Sequence, residues 1–417
     1  MLDIKFIREN AELVKNNCLK RRVKIDIDKL LATDEERRSN LRRVEELRAL
    51  RNQKSKGKPT EDEITKMRTI GDEIKSLESE LTEIENEYHA LLLAVPNLTN
   101  EETPVGGEED FKVVKTVGKI PKFDFPALNH EELLIKNDLI DFERGTKVAG
   151  AKFYFVKNNL VRLNQALINY GIDVVTAHGY TLVETPDLAK NEILSGIGFN
   201  PRGEETQVYS IENTDLSLIG TAEITMGGYH ANEVLDLSKG AKKYVALSHC
   251  FRTEAGAYGR ESKGLYRVHQ FAKLEMFIYC KPEESEKYHA ELLEIEKEII
   301  DGLELPYRVI DIASSDLGGP AYRKFDIEAW MTMKAGDGKT GDYGEITSTS
   351  NCTDYQARRL NIKYRKEDGG TEYVHTLNGT AVVLSRFPLA IVENYQQADG
   401  TIAVPKILQK YCGLKKL

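Results

Sequence analysis

The chain has 417 residues, 58 Lys and Arg against 67 Asp and Glu, a net charge of −9 at pH 7 and 41% hydrophobic residues. That length exceeds what one core usually supports, so two domains are expected, and the negative balance excludes a uniformly basic nucleic-acid binder while leaving room for a regional basic surface. No apolar run approaches the ~20 residues of a membrane span, the start MLDIKFIRENAELVKNN is too charged for a signal peptide, and the five cysteines (Cys18, Cys250, Cys280, Cys352, Cys412) are scattered and odd in number. A cytoplasmic protein without membrane partner, structural zinc or disulfide framework is the expectation.

In chain order, Leu2 to Leu30 reads as a short helix and a polar connector, with Ile4, Ile7, Leu13 and Val14 as packing positions. From Thr33 the composition changes. Asp34 to Lys56 has helical spacing at Leu41, Val44, Leu47 and Leu50 and is strongly basic through Arg37, Arg38, Arg42, Arg43, Arg48, Arg51 and Lys54. Gly57-Lys58-Pro59-Thr60 breaks that helix. Beyond it, Ile64, Met67, Ile70, Ile74, Leu77, Leu81, Ile84, Tyr88 and Leu91 recur at steps of three and four in a mostly acidic segment. Two helices of opposite charge joined by a short turn predict an antiparallel hairpin over about residues 33–93, on the order of 40 Å long and projecting from the body. Residues 1–100 then form an N-terminal domain.

Residues 101–125, with Pro104, Gly106, Gly107, Pro121 and several acids, have the composition of a linker, and 126–417 form the second domain. There Leu160, Leu163, Leu167, Tyr170 and Val174 mark a helix that Gly179 can end, followed by the strand-like TLVETP and, later, a helix from Glu283 to Ile300. Helices and antiparallel strands alternate irregularly, which predicts an α+β body.

The densest stretch is Tyr244 to Tyr279. Val245, Leu247, Cys250 and Phe251 lead in and Leu274, Met276, Phe277 and Ile278 lead out, too close for a parallel crossover, so an antiparallel pair is expected. Arg252, Glu254, Arg260, Arg267 and His269 crowd one surface of it. Cations at that density, in an acidic chain, suggest a polyanionic substrate gripped by guanidinium forks. Three further patches stand out: Thr221-Ala222-Glu223, Gly344-Glu345-Ile346-Thr347-Ser348, and Asn378-Gly379-Thr380 with Arg386. No Walker loop, Rossmann fingerprint or Ser-His-Asp signature is present, so phosphate handling would fall to side-chain cations and a metal, with Arg252 and Arg386 the natural candidates.

These motifs carry a specific resemblance. GYTLVETP, CFRTEAGAYGRESKGLYRVHQF and LNGTAVVLSRFPLAIVENYQ resemble the three motifs of class II aminoacyl-tRNA synthetases, and TSNCTDYQARRLNIKYR with DFERGTKVAGAKFYF resembles the seryl branch of bacterial type, over essentially the whole chain. The resemblance implies a class II catalytic domain on an antiparallel sheet flanked by helices, preceded by a helical arm. It implies activation of L-serine with ATP and magnesium to seryl-adenylate, then transfer to the 3′ end of serine tRNA; a selenocysteine tRNA stays open as a second acceptor.

By the same resemblance Arg252 holds the α-phosphate and the serine carboxylate, Glu254 meets the adenine amino group, Phe271 stacks on the base and Arg386 takes the γ-phosphate; Thr253, Val268, Ile346 and Thr347 complete the ATP site. Glu345 and Ser348 match the magnesium ligands, and Thr221, Ala222, Glu223, Glu275, Asn378 and Thr380 match the serine pocket. Arg38, Arg42, Arg43, Arg48, Arg51 and Lys54 on the arm, with Arg260 and Lys263, are the expected tRNA contacts, the arm meeting the long variable arm of the tRNA. Pro186 is expected at a homodimer interface. The third motif commonly reads Gly-Arg-Thr in the family, where this chain has Ser385-Arg386-Phe387-Pro388.

Blander readings stand beside these. His269 suits an orienting role, since adenylate formation needs no proton abstraction, and the basic arm face could simply pair with its acidic partner. A paralogue that loads a carrier protein would not need an RNA-gripping hairpin, and a non-catalytic RNA-binding scaffold would not need Arg252, Glu254, Glu275, Glu345 and Arg386.

Overall fold

A computed structural model describes residues 1–54, 60–199, 207–254, 264–336 and 338–417. The chain divides into two compact units, Met1–Leu98 and Thr99–Leu417.

The first unit is helical: α1 (Ile4–Glu9), α2 (Ala11–Lys20), α3 (Ile27–Lys54) and α4 (Glu61–Ala94). Two short helices replace the single one expected because Asn10, at φ −130° and ψ 37°, interrupts the first. Helix α3 starts earlier than Asp34 because the Asp26 carboxylate accepts from the Lys29 amide at 2.8 Å, an N-cap. On α4, Thr60 and Glu63 form a reciprocal capping box. Ile7, Val14, Cys18, Ile27, Leu30, Tyr88, Leu92 and Val95 pack as one core, and Val44, Leu47 and Ile74 as a second between α3 and α4. Lys29 pairs with Glu87 and Arg43 with Glu73, so the two long helices run antiparallel. Leu13, expected to pack, is 50% exposed, because adjacent helical residues point about 100° apart and Val14 takes the inward position. Leu50 and Ile64 are also exposed, so the seam is open at the far end of the described hairpin.

The second unit is built on eight strands: β1 (Lys112–Val117), β2 (Thr181–Glu184), β3 (Lys242–Phe251), β4 (Gln270–Cys280), β5 (Tyr307–Asp311), β6 (Arg323–Met331), β7 (Asp342–Asn351) and β8 (His375–Val383). Their order in the sheet is β1-β5-β6-β7-β8-β4-β3-β2. All pairings are antiparallel except that of β2 with β3, which makes the sheet mixed. Strand β1 lies within the stretch whose composition suggests a linker; it pairs with β5 as a solvent-exposed edge, so it lacks the apolar alternation that marks a buried strand.

Helices cover both faces. On one, Leu160, Leu163 and Leu167 of α5 (Asn158–Ala177) and Leu292, Ile295 and Ile299 of α6 (Ser285–Gly302) meet Leu274, Met276 and Ile278 of β4. On the other, Phe277 and Tyr279 meet Ile224 and Met226 of the short helix Ala222–Gly228. Because β4 is buried on both sides, its period-two alternation is masked in the sequence as a continuous apolar run. Strands β7 and β8 are in register only at Thr349 to Asn351 against Leu377 to Gly379, then part. Bulges lie beside that point, in β6–β7 between Ile327 and Glu328 and in β8–β4 between Thr380 and Val382. The divergence opens the floor of a cavity. No helix among the described residues is long and apolar enough to cross a membrane.

Candidate active site

The cavity, about 230 Å³, opens over β3, β4, β7 and β8. Antiparallel pairing of β3 with β4 sets Cys250 opposite Phe271 and Ala246 opposite Glu275, so side chains far apart in the chain share one face. Arg252 follows the last residue of β3. Its amide donates to His269 O at 3.0 Å, its Nε donates to Gly220 O at 3.2 Å, and its guanidinium lies 5.4 Å from the Phe271 ring centroid. Glu254, 3.7 Å from Arg267, sits at φ 48°, a left-handed conformation that a residue with a Cβ adopts at a cost of about 1 kcal/mol. His269 holds this corner rather than facing the cavity: its Nδ1 is 2.9 Å from both the Tyr209 hydroxyl and the Arg252 carbonyl, and its ring stacks on Phe153.

One end of the cavity is acidic with embedded cations. The Glu275 carboxylate is 2.7 Å from Lys273 Nζ and accepts from the Thr380 hydroxyl at 3.2 Å. Thr221 caps the short helix Ala222–Gly228, accepting from the Glu223 amide, and thereby sends the Glu223 side chain into the cavity. Glu223 Oε1 accepts from Gln356 at 2.8 Å and from Asn378 at 3.1 Å. Burial, and next the charge of Glu275, push the Glu223 carboxyl up to about 7, against the opposing pull of Gln356, Lys273 and Arg252.

The other end joins β7 to the helix α7 (Phe387–Asn394). Arg386 donates to Glu345 Oε1 at 2.8 Å and to the Glu345 carbonyl at 3.2 Å, over the Tyr266 ring at 4.9 Å. Burial alone would raise the Glu345 carboxyl, but Arg386, Lys324 and Arg252 outweigh it and hold the group below the usual carboxylate range. Ser348 lies opposite Asp326 in the β6–β7 register, and Asp326 Oδ1 is buried without a hydrogen-bond partner among the described residues. An ionised carboxylate, a hydroxyl and an orphaned carboxylate oxygen are hard donors suited to magnesium, which takes one or two protein carboxylates and completes its shell with phosphates and water. No group of three or more His, Cys, Asp or Glu residues among the described residues forms a protein-only cage.

Of the residues singled out by sequence, the cavity gathers Arg252, Glu254, Val268 and Phe271 from the hairpin, Glu345, Ile346, Thr347 and Ser348 from β7, and Thr221, Glu223, Glu275, Asn378, Thr380 and Arg386. Ala222 and Thr253 do not line it: Ala222 is fully buried behind it, and the Thr253 amide donates to Gln207 O. Lys273 and Tyr266 line it without having been anticipated, and Arg267 lines it although the sequence suggested only that it joins the cation cluster. Lys273 had a signal, since it stands two residues before Glu275 and so on the same face of a strand. Arg260 and Lys263 lie outside the described residues, as does the Lys54 side chain. On the arm, Arg38 pairs with Asp34 and Glu35, Arg43 with Glu73 and Arg48 with Glu78, whereas Arg42 and Arg51 are exposed and make no ion pair among the described residues.

Comparison with known proteins places this geometry. Residues 207–395 match the family model for the tRNA synthetase class II core domain (G, H, P, S and T), and residues 1–99 match that for the seryl-tRNA synthetase N-terminal domain. The chain is 51% identical over 425 residues to the serine–tRNA ligase of Treponema denticola, with 100% of each covered. Its fold is similar to that of seryl-tRNA synthetase from Pyrococcus horikoshii complexed with ATP, with a TM-score of 0.89 and 39% identity over 100% of this chain and 99% of that one. The cytoplasmic serine–tRNA ligase from Naegleria fowleri in complex with AMP gives a TM-score of 0.85 at 33% identity, covering 100% and 98%.

Proposed function

Because the chain belongs to the seryl-tRNA synthetase family, within class II of the aminoacyl-tRNA ligases, we propose that the cavity between the β3–β4 hairpin and the β7–β8 strands is where it couples serine to ATP. The enzyme is an ATP-dependent, AMP-forming serine–tRNA ligase. The assignment of roles within the cavity is carried by one observation: two carboxylates and the cations Arg252 and Lys273 converge at one end, and the Glu345–Arg386 pair stands at the other.

The first end fits a zwitterion. Glu223 and Glu275 suit an ammonium group, and Arg252 suits a carboxylate. Thr380 and Glu275 are hydrogen-bonding groups that a serine hydroxyl would satisfy and that alanine would leave unpaired, while the enclosed wall works against the extra methyl of threonine. Phe271 and Glu254 present a flat ring and an acceptor to the adenine, with Arg267 beside them as a further cation for phosphate. Arg252 and Arg386 bracket the triphosphate between the two ends.

The serine carboxylate attacks the α-phosphorus in line, the bond to the β-phosphate oxygen breaks, and pyrophosphate leaves with its electron pair. No general base is required, because the nucleophile is already ionised; the residues act by holding the reactants in line and by placing positive charge where negative charge accumulates. A terminal tRNA ribose hydroxyl then attacks the activated carbonyl and releases AMP. Magnesium, held by Glu345 and Ser348, would supply further neutralisation of phosphate charge.

The acceptor RNA would be held by the helical hairpin, through Arg42 and Arg51 and through those paired cations that can exchange a carboxylate for a phosphate. In this reading about residues 1–100 form the tRNA-gripping part and the catalytic part, which takes in β1, reaches back from 126 into the stretch 101–125; the enzyme works in the cytoplasm. A second copy of the chain would pack along α5 and β2, where a largely apolar cavity of about 410 Å³ is lined by Val161, Ile168, Leu247 and Leu384 near Thr185. The direct test is amino-acid-dependent ATP–pyrophosphate exchange with each of the twenty amino acids. Exchange with serine alone is expected, and no exchange with any amino acid would overturn the reading.

A further inference from the structure

Beneath the serine-facing end of the cavity lies a carboxyl group that the chemistry above does not use. Glu296 projects from α6 and is fully buried. Its Oε2 accepts from the Thr347 hydroxyl at 2.8 Å; its Oε1 has no partner at full hydrogen-bond geometry among the described residues, but the Thr380 backbone amide acts on the carboxyl as a donor. Helix α6 packs under β7 and β8 where their ladder stops at Thr349 and Gly379, so the carboxyl enters the sheet where the next rung would be. Gly379 permits this approach: a Cβ there would stand 3.0 Å from Glu296 Oε1 and 3.3 Å from Leu292 Cδ2. The next residue, Thr380, faces Glu275 across β8–β4 and gives it the hydroxyl hydrogen bond at 3.2 Å. A single buried side chain thus touches the β7 residue that carries the phosphate-facing wall and underlies the β8 residue that holds the serine-facing carboxylate.

We propose that Glu296 is a positioning residue for the serine subsite, its carboxyl substituting for the missing β7–β8 rung and fixing Thr380, and through it Glu275, in the geometry that receives the substrate side chain. This rests on the reading of that end of the cavity as the serine site. A buried, uncharged acid is suited to the position, because an ionised one would repel Glu275; burial pushes the Glu296 carboxyl well above the usual carboxylate range, and Glu275 and Asp326 add to the effect. A glutamine keeps the shape and the acceptor for Thr347. A leucine keeps most of the volume and removes both.

The test is pyrophosphate exchange by the full-length wild type, Glu296→Gln and Glu296→Leu, with KM measured separately for serine and for ATP and folding followed by thermal melts. Glu296→Gln is expected to stay within about threefold of wild type for both substrates, and Glu296→Leu to raise KM for serine by about tenfold while KM for ATP, whose base and α-phosphate are held by the β3–β4 hairpin and whose γ-phosphate is held by Arg386, moves less than about threefold. A Leu variant with unchanged KM for serine, equal changes in both KM values, or a Gln variant as impaired as Leu would each overturn the proposal. Should Glu296→Leu not fold, Glu296→Met removes both carboxyl oxygens with a more adaptable side chain. It is expected to raise KM for serine selectively, and an unchanged value overturns the proposal. Absence of serine-dependent exchange in the wild type would instead sink the site assignment itself, so the two failures are separable.

Discussion

Glu223 offers the sharpest handle on the serine end of the cavity, because its carboxyl titrates near 7 rather than near 4.5. The free enzyme therefore carries this group as a mixture of acid and carboxylate across the physiological range. If the carboxylate receives the serine ammonium group, only the ionised fraction binds. That fraction is about nine-tenths at pH 8, one-half at pH 7 and one-tenth at pH 6, so kcat/KM for serine should fall about tenfold from pH 8 to pH 6. The sign follows from the direction of the shift: a raised carboxyl keeps its proton in the empty site, and bound cation expels it, so acid opposes binding. The charged groups acting on Glu223 are Glu275, which raises its carboxyl, and Lys273 and Arg252, which lower it. The assay is serine-dependent pyrophosphate exchange at saturating ATP between pH 6 and 8, for wild type and Glu223→Gln. The variant should bind serine more weakly at pH 8 and lose the pH slope. A flat wild-type profile, or an unchanged slope in the variant, would refute the assignment.

Two further outcomes follow from other parts of the molecule. Reversing the exposed Arg42 and Arg51 together to Glu should lower tRNA charging by about tenfold or more at moderate salt, with serine-dependent exchange within about twofold of wild type; unchanged charging would return the basic face of α3 to a purely structural role. The fully buried Glu393 accepts from the His130 amide and Nδ1, each at 2.8 Å in the interior, and from the part-buried Met333 amide at 3.0 Å. Glu393→Ala leaves these donors unpaired and should destabilise the protein by about 3 kcal/mol in denaturant unfolding, and a loss under about 1 kcal/mol would show that the site relaxes.

How much of this was legible in the sequence depended on whether a residue's neighbours were local. The helical hairpin was readable because its seam repeats every three or four residues, and the β3–β4 pair because the apolar runs flank a loop too short for a crossover. What escaped detection is held by distant partners. Strand β1 exists through pairing with β5, some 200 residues later, and its exposed Lys-Val-Val-Lys-Thr-Val carries no burial pattern. Strand β2 was legible in TLVETP, but its parallel pairing with β3, like the small sheet of Val234–Leu235, Lys363–Arg365 and Thr371–Tyr373, depends on tertiary adjacency. Within the cavity the motif residues were identifiable by type and Lys273 by its place two residues before Glu275 on one strand face, whereas Tyr266 became part of it only through folding. The arm shows the limit of charge counting: Arg38, Arg43 and Arg48 are already paired with carboxylates, so two of the cations named for RNA, Arg42 and Arg51, remain as plain exposed charges.

The departure in the third motif, Ser385-Arg386-Phe387-Pro388, turns on what positions Arg386. Proline in the first turn of α7 removes an amide that has no intrahelical acceptor in any case, and Phe387 is fully buried in the main core, so both residues are absorbed by the helix and the layer behind it. The guanidinium is fixed from the opposite side, by two contacts with Glu345 and by the Tyr266 ring. Tyr266 in turn follows Leu265, whose amide donates to His130 Nε2 at 3.1 Å, while His130 is held by Glu393 of α7 itself. The helix that carries Arg386 thus also anchors the aromatic ring beneath it, and a small change in helix entry moves both together. Mutual pairing also favours the charged forms of Arg386 and Glu345 at the cavity wall, since desolvation alone would favour the neutral form of each. A phosphate-binding cation and a carboxylate suited to a hard metal ion are therefore both held in their charged states by one contact, and the identity of the residues after Arg386 matters less than the integrity of Glu345, Tyr266 and the His130–Glu393 link.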